Sequence, residues 1–158
     1  MTLVDLIEKA RIQLDDTIEP YKWGDDELFD YAKEATRIFI TEVRPNKATF
    51  TVEVDEGTSA VSLGSSVINI ITDTVKFNSI TLMQIQFDEL ISMIERTGTP
   101  LYYAVNDFTI YLAPKPDADG VLTYTAHTSI PSDLTSASQI PIPDSYHYRL
   151  VYGVMGFA

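Results

Sequence analysis

Cysteine is missing from this 158-residue chain altogether. That excludes disulfides, cysteine-bound zinc and thiol nucleophiles, and it leaves the redox compartment unreadable. Basic residues are scarce: 11 Lys and Arg stand against 23 Asp and Glu, a formal net charge of −12. A protein that grips nucleic acid must neutralise phosphates, so this balance argues against DNA or RNA as an affinity partner. It allows DNA to pass close by, because an acidic wall repels it. No uncharged apolar run is long enough to span a bilayer, and Met1-Thr2-Leu3-Val4-Asp5 lacks the basic start of a signal peptide. Neither of the two histidines has a partner at metal-binding spacing. Glycine-rich phosphate loops and a G-x-S-x-G elbow are likewise missing.

What is present suits one ordinary domain, or two only if both are small. Hydrophobic residues make up 45%, and a chain of this length buries roughly two-thirds of its unfolded surface without a metal or disulfide staple. Leu3, Leu6, Ile7, Ala10 and Leu14 recur at helical spacing, with Thr2 and Asp5 placed as a capping box and Asp15-Asp16-Thr17 as the stop. A second helix starts after Gly24, where Asp25, Asp26 and Glu27 face the positive end of its dipole. Trp23 is positioned to staple onto Leu28. The predicted inner stripe of this helix is Leu28, Tyr31, Ala32, Ala35, Ile38, Phe39 and Val43, and Pro45 stops it.

The period then falls to two. Phe50, Val52 and Val54 alternate with polar neighbours, and further strands are expected at 60–63, 67–71 and 75–80. Helical spacing returns over 87–96. A hairpin follows, with 101–105 and 108–112 joined through Asn106-Asp107, and a last strand runs over 121–127. The polar stretch 129–138 reads as irregular. Pro141-Ile142-Pro143 is extended, and Asp144 caps a closing helix from Ser145 onward. One face of that helix carries His147, Leu150, Val151, Val154 and Ala158; the other carries Tyr148, Tyr152 and Met155. A helix apolar on both sides must be covered on both sides. The order of elements gives an α+β fold: two N-terminal helices and a C-terminal helix form a small bundle, with an inserted, mostly local antiparallel β-sheet domain holding one short helix. The expected divisions are 1–45, 46–130 and 131–158.

Motifs for chemistry are weak. Asp117-Ala118-Asp119-Gly120 opens like a calcium loop but lacks the later ligands, so it reads as a turn. The carboxylate pairs Asp15/Asp16, Asp25/Asp26 and Asp88/Glu89 sit at helix starts or ends, where capping explains them. No catalytic, cofactor or metal site is assigned. The unusual feature is aromatic: nine Tyr and seven Phe. They concentrate in the hairpin and the last helix, and tyrosine is favoured where a surface is apolar on one side and wet on the other. Tyr102, Tyr103, Tyr111, Tyr146, Tyr148, Arg149, Tyr152, Met155 and Phe157 are therefore the candidate contact residues.

The succession of motifs resembles phage head-to-tail adaptor (connector) proteins of tailed dsDNA phages. Tyr21-Lys22-Trp23-Gly24-Asp25-Asp26-Glu27-Leu28 enters the second helix. Arg44-Pro45 precedes a strand, and Leu112-Ala113-Pro114-Lys115-Pro116 closes the hairpin. Ile140-Pro141-Ile142-Pro143-Asp144-Ser145-Tyr146 opens the closing helix. Gly24 departs from the Ser or Thr often found there. The resemblance implies a structural virion protein of the tail or neck, made in the host cytoplasm. It would form a homo-oligomeric ring of about twelve copies beneath the portal protein, extending the DNA channel without binding DNA specifically. It would also dock a tail nozzle or other tail component, with no enzyme activity, cofactor or membrane. Gly156-Phe157-Ala158 ends the chain inside an apolar helix, consistent with that end docking into a partner or with an incomplete chain. Alternatives are another neck or tail-completion protein, or a module whose exposed Tyr102, Tyr103 or Tyr111 stacks on host-surface carbohydrate.

Overall fold

A computed structural model describes residues 1–130, 134–135 and 137–158. The chain forms two compact units, Met1–Asn46 with Thr128–Ala158, and Lys47–His127.

The first unit is a three-helix bundle in which each helix packs against the other two. Helix α1 spans Leu3–Gln13. Thr2 and Asp5 form the capping box: the Asp5 amide donates to Thr2 Oγ1 (3.1 Å) and the Thr2 amide to Asp5 Oδ2 (2.7 Å). Leu3, Leu6 and Ala10 are buried. These bonds, the backbone one foremost, hold the Asp5 carboxyl below its ordinary value of 3.8. A lowered carboxyl pKa favours the fold above the unfolded value and loses that contribution as pH falls through the folded one. Thr2→Ala is therefore expected to lower the melting temperature by roughly 2–4 °C near neutrality. The deficit should shrink as pH drops below 3.8; thermal melts across that range check it.

Helix α2 runs Asp25–Val43, after Gly24, which offers no side-chain cap. It ends at Arg44 in the left-handed region (φ 52, ψ 49), whose N–H donates to Ile40 O. The expected inner stripe needs correction. Leu28, Ala32 and Ala35 are buried as expected, but Ile38 and Val43 are exposed, and Thr36 and Ile40 are buried instead. Thr36 can sit there because its hydroxyl donates to the Ala32 carbonyl at 2.7 Å, which removes the cost of burying it.

The closing helix, α4, the fourth along the chain, spans His147–Phe157. A 3-10 turn, Asp144–Tyr146, leads into it. Asp144 does not cap the helix as expected: the cap position of the helix falls on Tyr146, and the Asp144 carboxylate lies 3.1 Å from His147 Nδ1. Gly153 lets α2 and α4 approach closely, since a Cβ there would sit 3.1 Å from Ala35 Cβ.

The second unit holds nine strands and the remaining helix, α3. The strands are β1 (Lys47–Val54), β2 (Ala60–Ser62), β3 (Val67–Ile70), β4 (Lys76–Phe77), β5 (Ile80–Thr81), β6 (Met83–Gln84), β7 (Tyr102–Asn106), β8 (Thr109–Ala113) and β9 (Gly120–Thr128). One sheet has the order β1-β9-β4-β5 with β3 also on β9; the other has the order β2-β8-β7-β6. The α+β class is as read from the sequence, with two revisions. β6 and β7 run parallel. The longest ladder is non-local, antiparallel from Lys47↔His127 to Val54↔Gly120. Val54, Phe77, Leu82, Tyr103, Leu112, Leu122 and Tyr124 belong to one buried cluster.

Three local readings shift. Helix α3 covers only Phe87–Ile91, not 87–96. Beyond it the amides of Met93, Ile94 and Arg96 donate three residues back; then Thr97 forms a bridge with Lys115, whose amide donates to the Arg96 carbonyl and whose carbonyl accepts from the Gly98 amide. That pairing competes with helix continuation. The expected strand 75–80 folds back on itself at Asn78-Ser79, both at positive φ (47 and 72). The hairpin turns at Asp107-Phe108 (φ 45 and 56) rather than at Asn106-Asp107, because Asn106 pairs with Thr109. Phe108 is left 67% exposed at the tip. The expected irregular stretch 129–138 includes 131–133 and 136, which lie outside the described residues.

Candidate interaction surface

Among the described residues no helix is long and apolar enough to cross a membrane, and no group of His, Asp and Glu is arranged to hold a metal. The distinctive surface lies on the bundle, on the outer face of α4. Its inner face buries His147, Leu150, Val151 and Val154. His147 Nε2 faces the Ile142 carbonyl at 2.8 Å, which fixes the start of the helix. The outer face stays open. Tyr148 is 68% and Tyr152 50% exposed, and Phe157 is exposed as well.

These aromatics are ordered by one another. The Tyr148 and Tyr152 rings meet edge to face, 4.9 Å between centroids at 78°, and the Tyr148 hydroxyl donates to that of Tyr152 at 3.0 Å. This bond raises the Tyr152 hydroxyl pKa. Phe157 stacks on Tyr31 (5.9 Å), and Tyr146 packs against Phe39 (5.4 Å). Rings held this way lose little side-chain entropy when a partner covers them. Arg149 is exposed beside them and makes no salt bridge among the described residues. Met155 is half-buried.

Each pair of helices leaves a groove. The one between α1 and α4 is about 890 Å³, that between α1 and α2 about 820 Å³, and that between α2 and α4 about 380 Å³. Tyr152 borders two of them. The smallest is the most apolar, walled by Ala35, Ile38, Phe39, Val43, Gly153 and Phe157, with Glu42 on one wall and Arg149 on the other.

The β-unit candidates behave differently. Tyr103 is 1% exposed and is corrected from contact residue to core residue; burial raises its hydroxyl pKa, with the Asp73 charge adding to it. It fills the space between the sheets because it alternates inward on β7. Tyr111 is half-buried with its ring 4.8 Å from that of Phe87, and Tyr102 is half-buried. A flat exposed tyrosine platform for sugars is therefore not formed by this set. Nothing brings His127 and His147 together within either unit: they lie in different units.

Sequence reasoning missed the pair that organises the Tyr21–Leu28 motif. Arg11, on α1, is 8% exposed. It donates to Asp16 (2.7 Å), to Asp25 (2.6 Å) and to the Trp23 carbonyl (2.9 Å), and its guanidinium lies 4.0 Å over the Tyr21 ring. Buried Asp16 accepts in turn from the Lys22 and Trp23 amides. Asp16 is thus an internal anchor for the loop rather than a helix stop. The signal available was an arginine interrupting an otherwise apolar helix face, next to an acidic pair.

Compared with curated proteins, the sequence finds no match. The profile of the SU10 adaptor protein family matches residues 1–158. With the bundle, the β unit and the ordered series of motifs in place along that whole length, the chain belongs to the SU10 adaptor protein family, a family of phage head-to-tail adaptors.

Proposed function

We propose that the chain is a ring-forming adaptor that sits beneath the portal of a phage virion, lengthens the DNA channel and offers the next tail component a docking surface. Several observations support the reading, and the uncovered aromatic face of α4 carries it. Tyr148, Tyr152 and Phe157 are exposed together on a helix whose other side is already buried. Contiguous, preordered aromatic surface of this kind marks contact with another protein. The net charge of −12 suits a channel that must let DNA slide. The chain acts in this role by binding and position, with no chemistry of its own.

The test mixes the protein with the portal oligomer of the same phage and images the product. Rings stacked on the portal are expected. Tyr148→Asp/Tyr152→Asp, at exposed positions, should keep its circular dichroism yet bind at least tenfold more weakly. Wild-type protein that ignores the portal, or a double variant that assembles normally, would sink the proposal.

A further inference from the structure

Resting on that reading, the ring contact itself can be assigned. In a bundle of three mutually packed helices, the groove between α2 and α4 lies across the axis from the outer crest of α1. Leu3, Leu6 and Ala10 point α1 inward, so Glu8 and Ile12 form its crest; Glu8 borders both grooves that α1 makes. Ile12 is 64% exposed, an apolar knob at the border of the α1/α4 groove. Crest and groove therefore occupy opposite sides of one bundle. A ring needs this arrangement, since a head-to-tail contact joins two different patches related by rotation.

The charges match as well. Glu42 on α2 and Arg149 on α4 face each other across one end of the groove, near the Phe39–Tyr146 contact. On α1, Glu8 lies on the crest one turn before Ile12 and Lys9 lies beside it, on the α4 side. None of the four makes a salt bridge among the described residues. On a surface with 23 acids and 11 bases most self-contacts repel, whereas this pair of patches offers one cation and one anion on each side.

We infer that the α1 crest of one copy seats in the α2/α4 groove of the next, with Ile12 over the floor that Ala35 and Gly153 make, Glu8 against Arg149 and Lys9 against Glu42. A ridge from one helix enters the gap between two others, as in ordinary helix packing.

The chain has no cysteine, so introduced thiols report without background. Ile12→Cys/Ile38→Cys, assembled on the portal oligomer and treated with a short bismaleimide, is expected to give a ladder of linked copies. Either single variant should give none. A charge cycle reads the same contact: Glu8→Arg and Arg149→Glu should each weaken assembly about tenfold, and the two together should recover most of it. Rings that form without the ladder, or without recovery in the double variant, overturn this assignment and leave the ring reading standing. Ile38→Cys linking to itself points to a two-fold contact and also overturns it. Wild-type protein that never assembles removes both.

Discussion

Asp16→Ala is expected to destabilise the helical unit by about 3–5 kcal/mol, because it strips a buried arginine of its closest partner. Arg11 and Asp16 are both almost fully buried and 2.7 Å apart. Without the carboxylate, Arg11 keeps only the Trp23 carbonyl and the exposed Asp25, and the Lys22 and Trp23 amides lose their acceptor. A loss of that size is a large part of the total stability of a small protein. Asp16→Asn should cost less, since its amide oxygen can still accept from the loop. Urea titration followed by the fluorescence of the single tryptophan, Trp23, reads the loop directly. An unfolding free energy for Asp16→Ala within about 1 kcal/mol of wild type would show that the anchor is dispensable.

Gly120→Ala is expected to be the most damaging small substitution in the β unit, at about 3 kcal/mol. A Cβ at Gly120 would fall 2.3 Å from Phe77 Cζ, 2.7 Å from Phe77 Cε1 and 2.9 Å from Asn78 Nδ2. The ring cannot swing away freely, because Phe77 is buried. Asn78 is pinned too: its amide donates to the Val121 carbonyl, and its side-chain oxygen accepts from the Val121 amide. The methyl group therefore strains the β4–β5 turn and the start of β9 together. Phe77→Leu shortens the offending ring, so the double variant should be less destabilised than the two single losses added. Strict additivity in denaturant titrations would place the damage elsewhere.

Where local physics decides, the chain was readable. The Thr2 and Asp5 cap, the break at Arg44-Pro45, the alternation of Phe50, Val52 and Val54, and the two-faced closing helix all follow from neighbours within a turn or a pleat. The misses share a different cause. Ile38 and Ile40 are chemically alike, and only the position of α4 determines which of them is covered. Asn106-Asp107 and Asp107-Phe108 differ by one residue of register, and the cross-strand partner Thr109 chooses between them. The truncated α3 yields to the bridge between Thr97 and Lys115. For the candidate surface, the α4 tyrosines were visible as a second apolar face. Tyr103 was not separable from Tyr102, because alternation says that one of them points inward but not which sheet face is the inner one. Arg11 escaped because an arginine on the apolar face of α1 signals a buried charge without saying which loop folds back to meet it.

The β1–β9 ladder has a consequence for how the bundle assembles. It begins at Lys47↔His127, and just outside it the Thr128 amide donates to the Asn46 carbonyl. Once this zipper has formed, the residues that lead out of α2 and back toward α4 are held side by side. Before then, bringing them together means closing a chain of 81 residues (47 through 127), an entropic cost on the order of 4 kcal/mol. The inserted unit thus works as a reversible clasp: while it is folded the third helix is effectively tethered to the other two, and when it melts the bundle loses that tether.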